Sequence, residues 1–199
     1  MNPTSQNTRL HLLDIGYQLI AHKGYSAVGL SEILKQAQVP KGSFYHYFAS
    51  KDAFGTELIQ HYFACYHLRV DALWQTPAAN GRMQLLNYWQ HWQQSQQCHN
   101  PEQPCLVVKL SAEVSDLSDP MRLALLEGSD SVMQRLIRCM QDGQADGSIS
   151  PQLDPEVEIP TLYALWLGAS LSNKLTQDDQ PLQLAMHKTL SLLPEPHRP

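Results

Sequence analysis

The chain of 199 residues predicts an all-α fold, on three observations. Apolar residues recur at helical spacing through most of its length. Alternating apolar and polar runs of the kind that make strands are absent, as are internal repeats. Gly, Pro, Asn and Asp fall where such helices would start or stop. With 43% hydrophobic and 17% charged residues, the chain can bury one sizeable core or two small ones. No run of 18 apolar residues could cross a bilayer. The amino terminus MNPTSQNTR lacks the basic and apolar regions of a secretory signal, so a cytoplasmic protein with no membrane partner is expected.

Taken in order, residues 12, 13, 16, 19 and 20 mark a first helix with Gly24 at its end. A short second helix fits Leu30–Ala37, broken by Val39-Pro40. A short third runs from about Lys41 to Phe48. Ser50 caps a longer fourth that includes Phe54, Leu58, Tyr62, Cys65 and Tyr66. Further helices are expected over Met83–Gln97, from Pro104 to before Asp116, and from Ser118-Asp119-Pro120 to Gly143 or Gly147. Two more cover Pro155–Thr176 and Pro181–Leu193, with a frayed tail beyond. Leu162, Leu165, Leu184 and Leu192 on these last two are expected to form a dimer interface.

Charge divides the chain. Residues 1–70 carry six Lys and Arg against four Asp and Glu, a net +2, while residues 71–199 carry eight against fifteen, a net −7. An anionic partner therefore suits the first part better. Three short helices and a long one, with a tight turn between the second and third, match a helix-turn-helix. On the third helix Phe44, Tyr47 and Phe48 share an inward stripe. Gly42, Ser43 and His46 lie opposite, with Tyr45 on the flank. A major groove admits a helix of that kind, slim and hydrogen-bonding outside and held by bulk beneath. Lys41 and Lys51 stand near helix starts, where free N–H groups favour phosphate.

The run GYSAVGLSEILKQAQVPKGSFYHYFASKDAF resembles the DNA-binding segment of the TetR family of one-component repressors. The likeness rests on Gly24-Tyr25, Ile33, Ala37, Val39, Lys41-Gly42-Ser43, Tyr45, Phe48 and Ser50-Lys51, and covers about residues 8–60. It implies a helix-turn-helix DNA-binding domain over 1–52 and a larger helical sensing and dimerisation domain over 53–199. It further implies a homodimer on palindromic double-stranded operator DNA, with Lys41, Gly42, Ser43, Tyr45, His46 and Tyr47 in the groove and Tyr45 and Lys51 gripping phosphates. Two positions depart from the pattern. Gln38 replaces a common Gly, at about 1–2 kcal/mol if left-handed, and Pro40 replaces a Ser or Thr cap worth ~1 kcal/mol.

PCLVVKLSAEVSDLSDPMR and LYALWLGASLSNKL resemble the NemR-like subgroup, which is associated with sensing electrophiles or oxidants through a cysteine. The matching position here is Cys105, and an acrylate-sensing branch is similar too. Placed second in a helix opening at Pro104, Cys105 would meet unsatisfied N–H groups that favour a thiolate. Cys98 lies at the wrong end of a helix, Cys139 is a second candidate if exposed, and Cys65 reads as core. Lys174 would steady a thiolate or an acidic ligand if it faced a cavity, and Trp89, Trp92, Tyr163 and Trp166 are candidates to line an inducer pocket. His61, Cys65 and His67, or Cys98-His99 with Cys105, lack the spacing of a metal site, so no metal or other cofactor is expected. A short carboxylate is an alternative, non-covalent inducer. A thiol enzyme with Cys105 as nucleophile and His99 as base would need an orienting group that the sequence does not offer.

Overall fold

The computed structural model describes residues 3–75, 78–97 and 105–195, with the side chains of 3–6 left aside. In chain order the helices are α1 (Pro3–Lys23), α2 (Leu30–Ala37), α3 (Lys41–Tyr47), α4 (Lys51–Gln75), α5 (Gly81–Ser95), α6 (Leu106–Leu117), α7 (Asp119–Ala145), α8 (Pro155–Thr176) and α9 (Gln180–Leu192). No strand occurs among the described residues. None of the helices is long and apolar enough to cross a membrane.

Boundaries follow capping chemistry. Asn80 accepts from the Met83 N–H and Asp154 from the Glu156 N–H at the starts of α5 and α8. Ser50 Oγ accepts from the Ala53 N–H at 3.0 Å, as the cap expected of it. Helix α1 extends to Pro3, well before the first apolar position that marks it in the sequence. Helix α6 starts at Leu106, two residues later than expected. The proposed first position, Pro104, lies outside the described residues, as do Cys98, His99 and the end of the tail.

The chain divides into two compact units. One comprises Met1–Tyr66 and Cys105–Gly128, and its core includes Leu12, Leu13, Ile20, Ile33, Phe44, Phe54 and Leu58, each at most 1% exposed. Here α1 lies so close on α4 that a Cβ at Gly16 would stand 2.4 Å from Phe54 Cζ. The other comprises His67–Pro104 and Ser129–Pro199, where α9 packs on α8 and α5. Its core is a ring cluster: Trp89 stacks on Trp166 at 5.4 Å and Trp92 meets Tyr163 edge-on at 5.4 Å.

The leucines expected at a dimer face separate. Leu162 is 2% exposed and belongs to the chain's own core, and Leu192 is half-buried. Leu165 and Leu184 face outward, as do Val157, Leu171 and Leu175. The i, i+4 register of α8 dictates this split, because Leu162 shares the inward face with Trp166.

Candidate nucleic-acid interface and its link to Cys105

Helix α2 ends with Gln38 in the left-handed region at φ 57°, ψ 36°. The Val39 N–H then reaches the Leu34 carbonyl at 3.0 Å, closing the helix end in the manner of a Schellman motif. The departure read at Gln38 is therefore real strain. Pro40 is extended and serves as a cap with no side-chain bond, and its carbonyl accepts from the Ser43 N–H at 3.0 Å. That sharp corner sets off α3, seven residues long.

Beneath α3 the rings of Phe44, Phe48 and Phe54 form a triangle with centroids 5.0–5.5 Å apart. All three are buried. Lys41, Gly42, Tyr45 and His46 are exposed, and Ser43 and Tyr47 half-buried. Tyr45 is 52% exposed and stands edge-on against Phe44 at 5.5 Å, so a fixed ring carries an outward hydroxyl. A Cβ on Gly42 would meet nothing within 4 Å, which leaves a smooth face.

Lys51 is more committed than the sequence suggests. Its Nζ donates to the Tyr25 carbonyl at 3.0 Å and lies 4.2 Å from the centre of the Tyr25 ring. Burial lowers its pKa, against the pull of the Asp52 and Glu113 carboxylates. An ammonium has three donors, so this arrangement leaves capacity for an oxygen of a further partner.

A feature missed in the sequence joins this corner to α6. Glu113 accepts from the Tyr25 N–H at 3.0 Å and the Ser26 N–H at 2.6 Å, just past the end of α1. Partial burial opposes the carboxylate, but the Ser26 and Tyr25 hydrogen bonds and the nearby Lys109 charge together hold its pKa below the usual value. Tyr25 in turn donates its hydroxyl to Asp52 at 2.8 Å, and burial followed by that bond keeps the phenol protonated. The first turn of α4, the α1–α2 link and the middle of α6 are thus one polar network.

At the head of the same helix, Cys105 is the N-cap of α6 rather than its second residue. It is 8% exposed, and its carbonyl accepts from the Lys109 N–H at 3.1 Å. The cap position still borders the unsatisfied N–H groups of the first turn. Cys139 is buried, and that burial, with Asp142 and Asp146 nearby, pushes its thiol up to about 12. This removes it as a second reactive candidate. Cys65, expected in the core, is half-buried, with its Sγ 3.7 Å from His61 Nε2.

The remaining sensor candidates divide. Trp89, Trp92, Tyr163 and Trp166 do come together, but as close-packed rings each no more than 6% exposed. The Trp92 and Trp166 N–H groups are satisfied by Ser170 and Thr189. Lys174 is exposed, and its neighbour Asn173 is the buried polar residue, donating to the Gln96 carbonyl at 2.7 Å. A cavity of about 340 Å³ lies elsewhere in the second unit, walled by Trp74, Gln84, Arg135, Arg138, Cys139 and Asp142. Among the described residues no three His, Cys, Asp or Glu side chains gather as metal ligands would.

Comparison with known proteins places this geometry. Residues 12–58 match the family profile described as bacterial regulatory proteins, tetR family, and residues 81–189 match the tetracyclin repressor-like C-terminal domain. The chain belongs to the TetR family. It is 40% identical over 193 residues to the HTH-type transcriptional repressor NemR of Escherichia coli strain K12, covering 97% of each chain. It is 33% identical to the HTH-type transcriptional repressor DhaR of Mycobacterium sp. strain GP1, over 87% of this chain and 86% of that one. The crystal structure of reduced E. coli NemR superimposes with a TM-score of 0.90 at 41% identity, covering 96% of this chain and all of the other.

As a TetR-type, NemR-like transcriptional repressor, the chain carries the whole α2–α3 corner and Lys51 inside the region matched by the first profile. The second spans Cys105, Glu113 and the ring cluster. Glu113 had one sequence signal, an acid on the polar side of an amphipathic helix, and nothing that names a backbone partner 88 residues away.

Proposed function

We propose that this repressor acts in the cytoplasm as a homodimer on a palindromic operator, with residues 1–52 as reading head and 53–199 as sensing and dimerisation domain. In each protomer α3 enters the major groove. Gly42, Ser43, His46 and Tyr47 meet base edges, and Lys41, Tyr45 and Lys51 hold phosphates. The outward apolar residues Val157, Leu165, Leu171, Leu175 and Leu184 supply the dimer face.

Release follows reaction of an electrophile or oxidant at Cys105. The single observation behind this coupling is the Glu113 clamp: the helix that Cys105 caps also holds the backbone of Tyr25 and Ser26. A bulky group on Cys105 does not fit at 8% exposure without moving the start of α6, and a moving α6 pulls on the head through Glu113. Operator affinity falls only insofar as the adduct is better accommodated in the shifted state.

A second reading is favoured by the cavity beside Arg135 and Arg138. The Arg138 guanidinium and the buried Trp74 Nε1–H, which has no partner among the described residues, suit a small carboxylate as a non-covalent inducer, beside an Arg135 already paired with Asp71 and with Asp142 in the same wall. The two readings separate in one experiment. An operator duplex is first selected from random DNA by the protein itself, and a gel shift is then run with His46→Ala and Tyr45→Phe. Both variants should bind at least tenfold more weakly with the dimer intact; unchanged binding rejects α3 as the reader. Release of the selected duplex by N-ethylmaleimide supports the thiol reading, and release by acrylate or acetate that Arg138→Ala abolishes supports the cavity.

A further inference from the structure

Arg135 forms part of the cavity wall in the second unit, but its guanidinium is engaged outside it. It donates through Nη2 to Asp71 and through Nη1 to His67 Nδ1 at 3.2 Å, and it lies 5.0 Å from the centre of the Trp74 ring. A guanidinium only donates, so Nδ1 presents its lone pair and the ring proton sits on Nε2. Nε2 accordingly donates to Ser131 Oγ at 2.8 Å. His67 is held as one neutral tautomer, with a cation on one side and a hydroxyl on the other. The charged groups facing the half-buried ring are Arg135 from α7 and Asp71 from α4. Burial first, and Arg135 second, lower its pKa against the pull of Asp71. A proton added at Nδ1 would set N–H against N–H and bring two cations into contact. Asp71, one turn further along α4, is the carboxylate that an imidazolium at 67 can take.

We propose that His67 is a proton switch on this cavity, releasing Arg135 to a small carboxylate when its ring is protonated and withholding it when the ring is neutral. The inference rests on the cavity's taking such a carboxylate. Arg135 and Arg138 are balanced by Asp71 and Asp142, so the cluster carries no net charge while His67 is neutral. One proton on His67 gives it a net positive charge. The imidazolium then competes for Asp71, and the guanidinium it displaces is free to turn to the cavity beside Arg138 and the Trp74 Nε1–H. A carboxylate there meets two guanidinium groups instead of one. The sign follows from the fold. The neutral ring is the favoured form, so its contribution to stability is complete above the ordinary imidazole value and is lost as pH falls through the depressed one. Carboxylate binding strengthens over that same acidic window. Proton and ligand are coupled in both directions, so the bound carboxylate also favours the protonated ring.

The measurement is a titration of the isotope-labelled intact protein with sodium formate, which stays ionised across the range used. Binding is read from the indole N–H resonance of Trp74, assigned by its loss in Trp74→Phe. Wild type should bind formate roughly fivefold more tightly at about pH 5 than at about pH 7.5, at the low end of coupling between two sites. His67→Gln keeps an oxygen that can accept from Arg135 but takes no proton, and it should bind formate equally at both pH values. In wild type, saturating formate should also raise the pKa read from the His67 ring signals, a result that needs no variant to fold. No formate-dependent shift at either pH would reject the cavity reading and the switch with it. Formate binding that is equal at the two pH values, a gain at acid pH retained in His67→Gln, or a His67 pKa unmoved by formate would overturn the switch alone.

Discussion

At the residue scale Glu113 ties α6 to the backbone just past α1. Two backbone N–H donors on one carboxylate are charge-assisted bonds, and replacing the acid by an amide leaves one donor facing an N–H₂ or a weaker acceptor. Glu113→Gln should therefore cost about 1–2 kcal/mol at neutral pH, read by thermal melting. Its pKa is held below the ordinary carboxyl value in the fold, so the stabilisation is complete above that value. It is lost as pH falls through the depressed one. The difference between wild type and Glu113→Gln should be full at pH 7 and shrink steadily below the usual carboxylate range. A gap that persists unchanged into strong acid would mean that the side chain acts by packing alone.

The same scale separates anchor from reader on α3. Phe44 is fully buried within the ring triangle, and Phe44→Ala should destabilise the head by roughly 3–5 kcal/mol. Tyr45→Phe should leave the melting temperature within a degree or two, since its hydroxyl faces out. Far-ultraviolet melts followed on both proteins would distinguish the roles that helical spacing alone assigned to them.

At the element scale, the corner between α2 and α3 is strained at one position. Gln38 pays for a left-handed conformation that Gly would adopt freely. Gln38→Gly should raise stability by about 1 kcal/mol without moving α3, with operator binding unchanged. Most helices were legible because apolar period and breakers agreed, as at Leu30–Ala37 and Pro155–Thr176. The amino-terminal part of α1 was not, since its Ser, Gln, Asn and Thr residues carry no apolar period. Nor was the start of α6, where a two-residue difference in register turns Cys105 from the second helical residue into the cap. The Glu113 clamp and the contact between Asp14 and His61 were invisible for a common reason. Each joins residues at least 47 positions apart through a side chain that sequence periodicity marks only as polar.

At the scale of the whole molecule, the proposed dimer face gains from the fold what helical spacing could not sort, since Leu162 points inward while Leu165 and Leu184 point outward. Leu162 was drawn to the chain's own ring cluster by its register with Trp166, leaving Leu171, Leu175 and Leu184 outward. Leu171→Glu with Leu184→Glu should shift the protein to monomer in sedimentation equilibrium while the helical signal stays intact. A single reading head would then bind the palindrome far more weakly, because both half-sites must be engaged together.

The central claim is that Cys105 and the reading head are coupled. It is tested most directly by fluorescence anisotropy of the selected operator duplex, titrated with N-ethylmaleimide in a Cys65→Ser background. With Cys105 present, the complex should dissociate as that residue is alkylated. With Cys105→Ser, the complex should persist at the same dose. Equal release from both proteins would contradict the account.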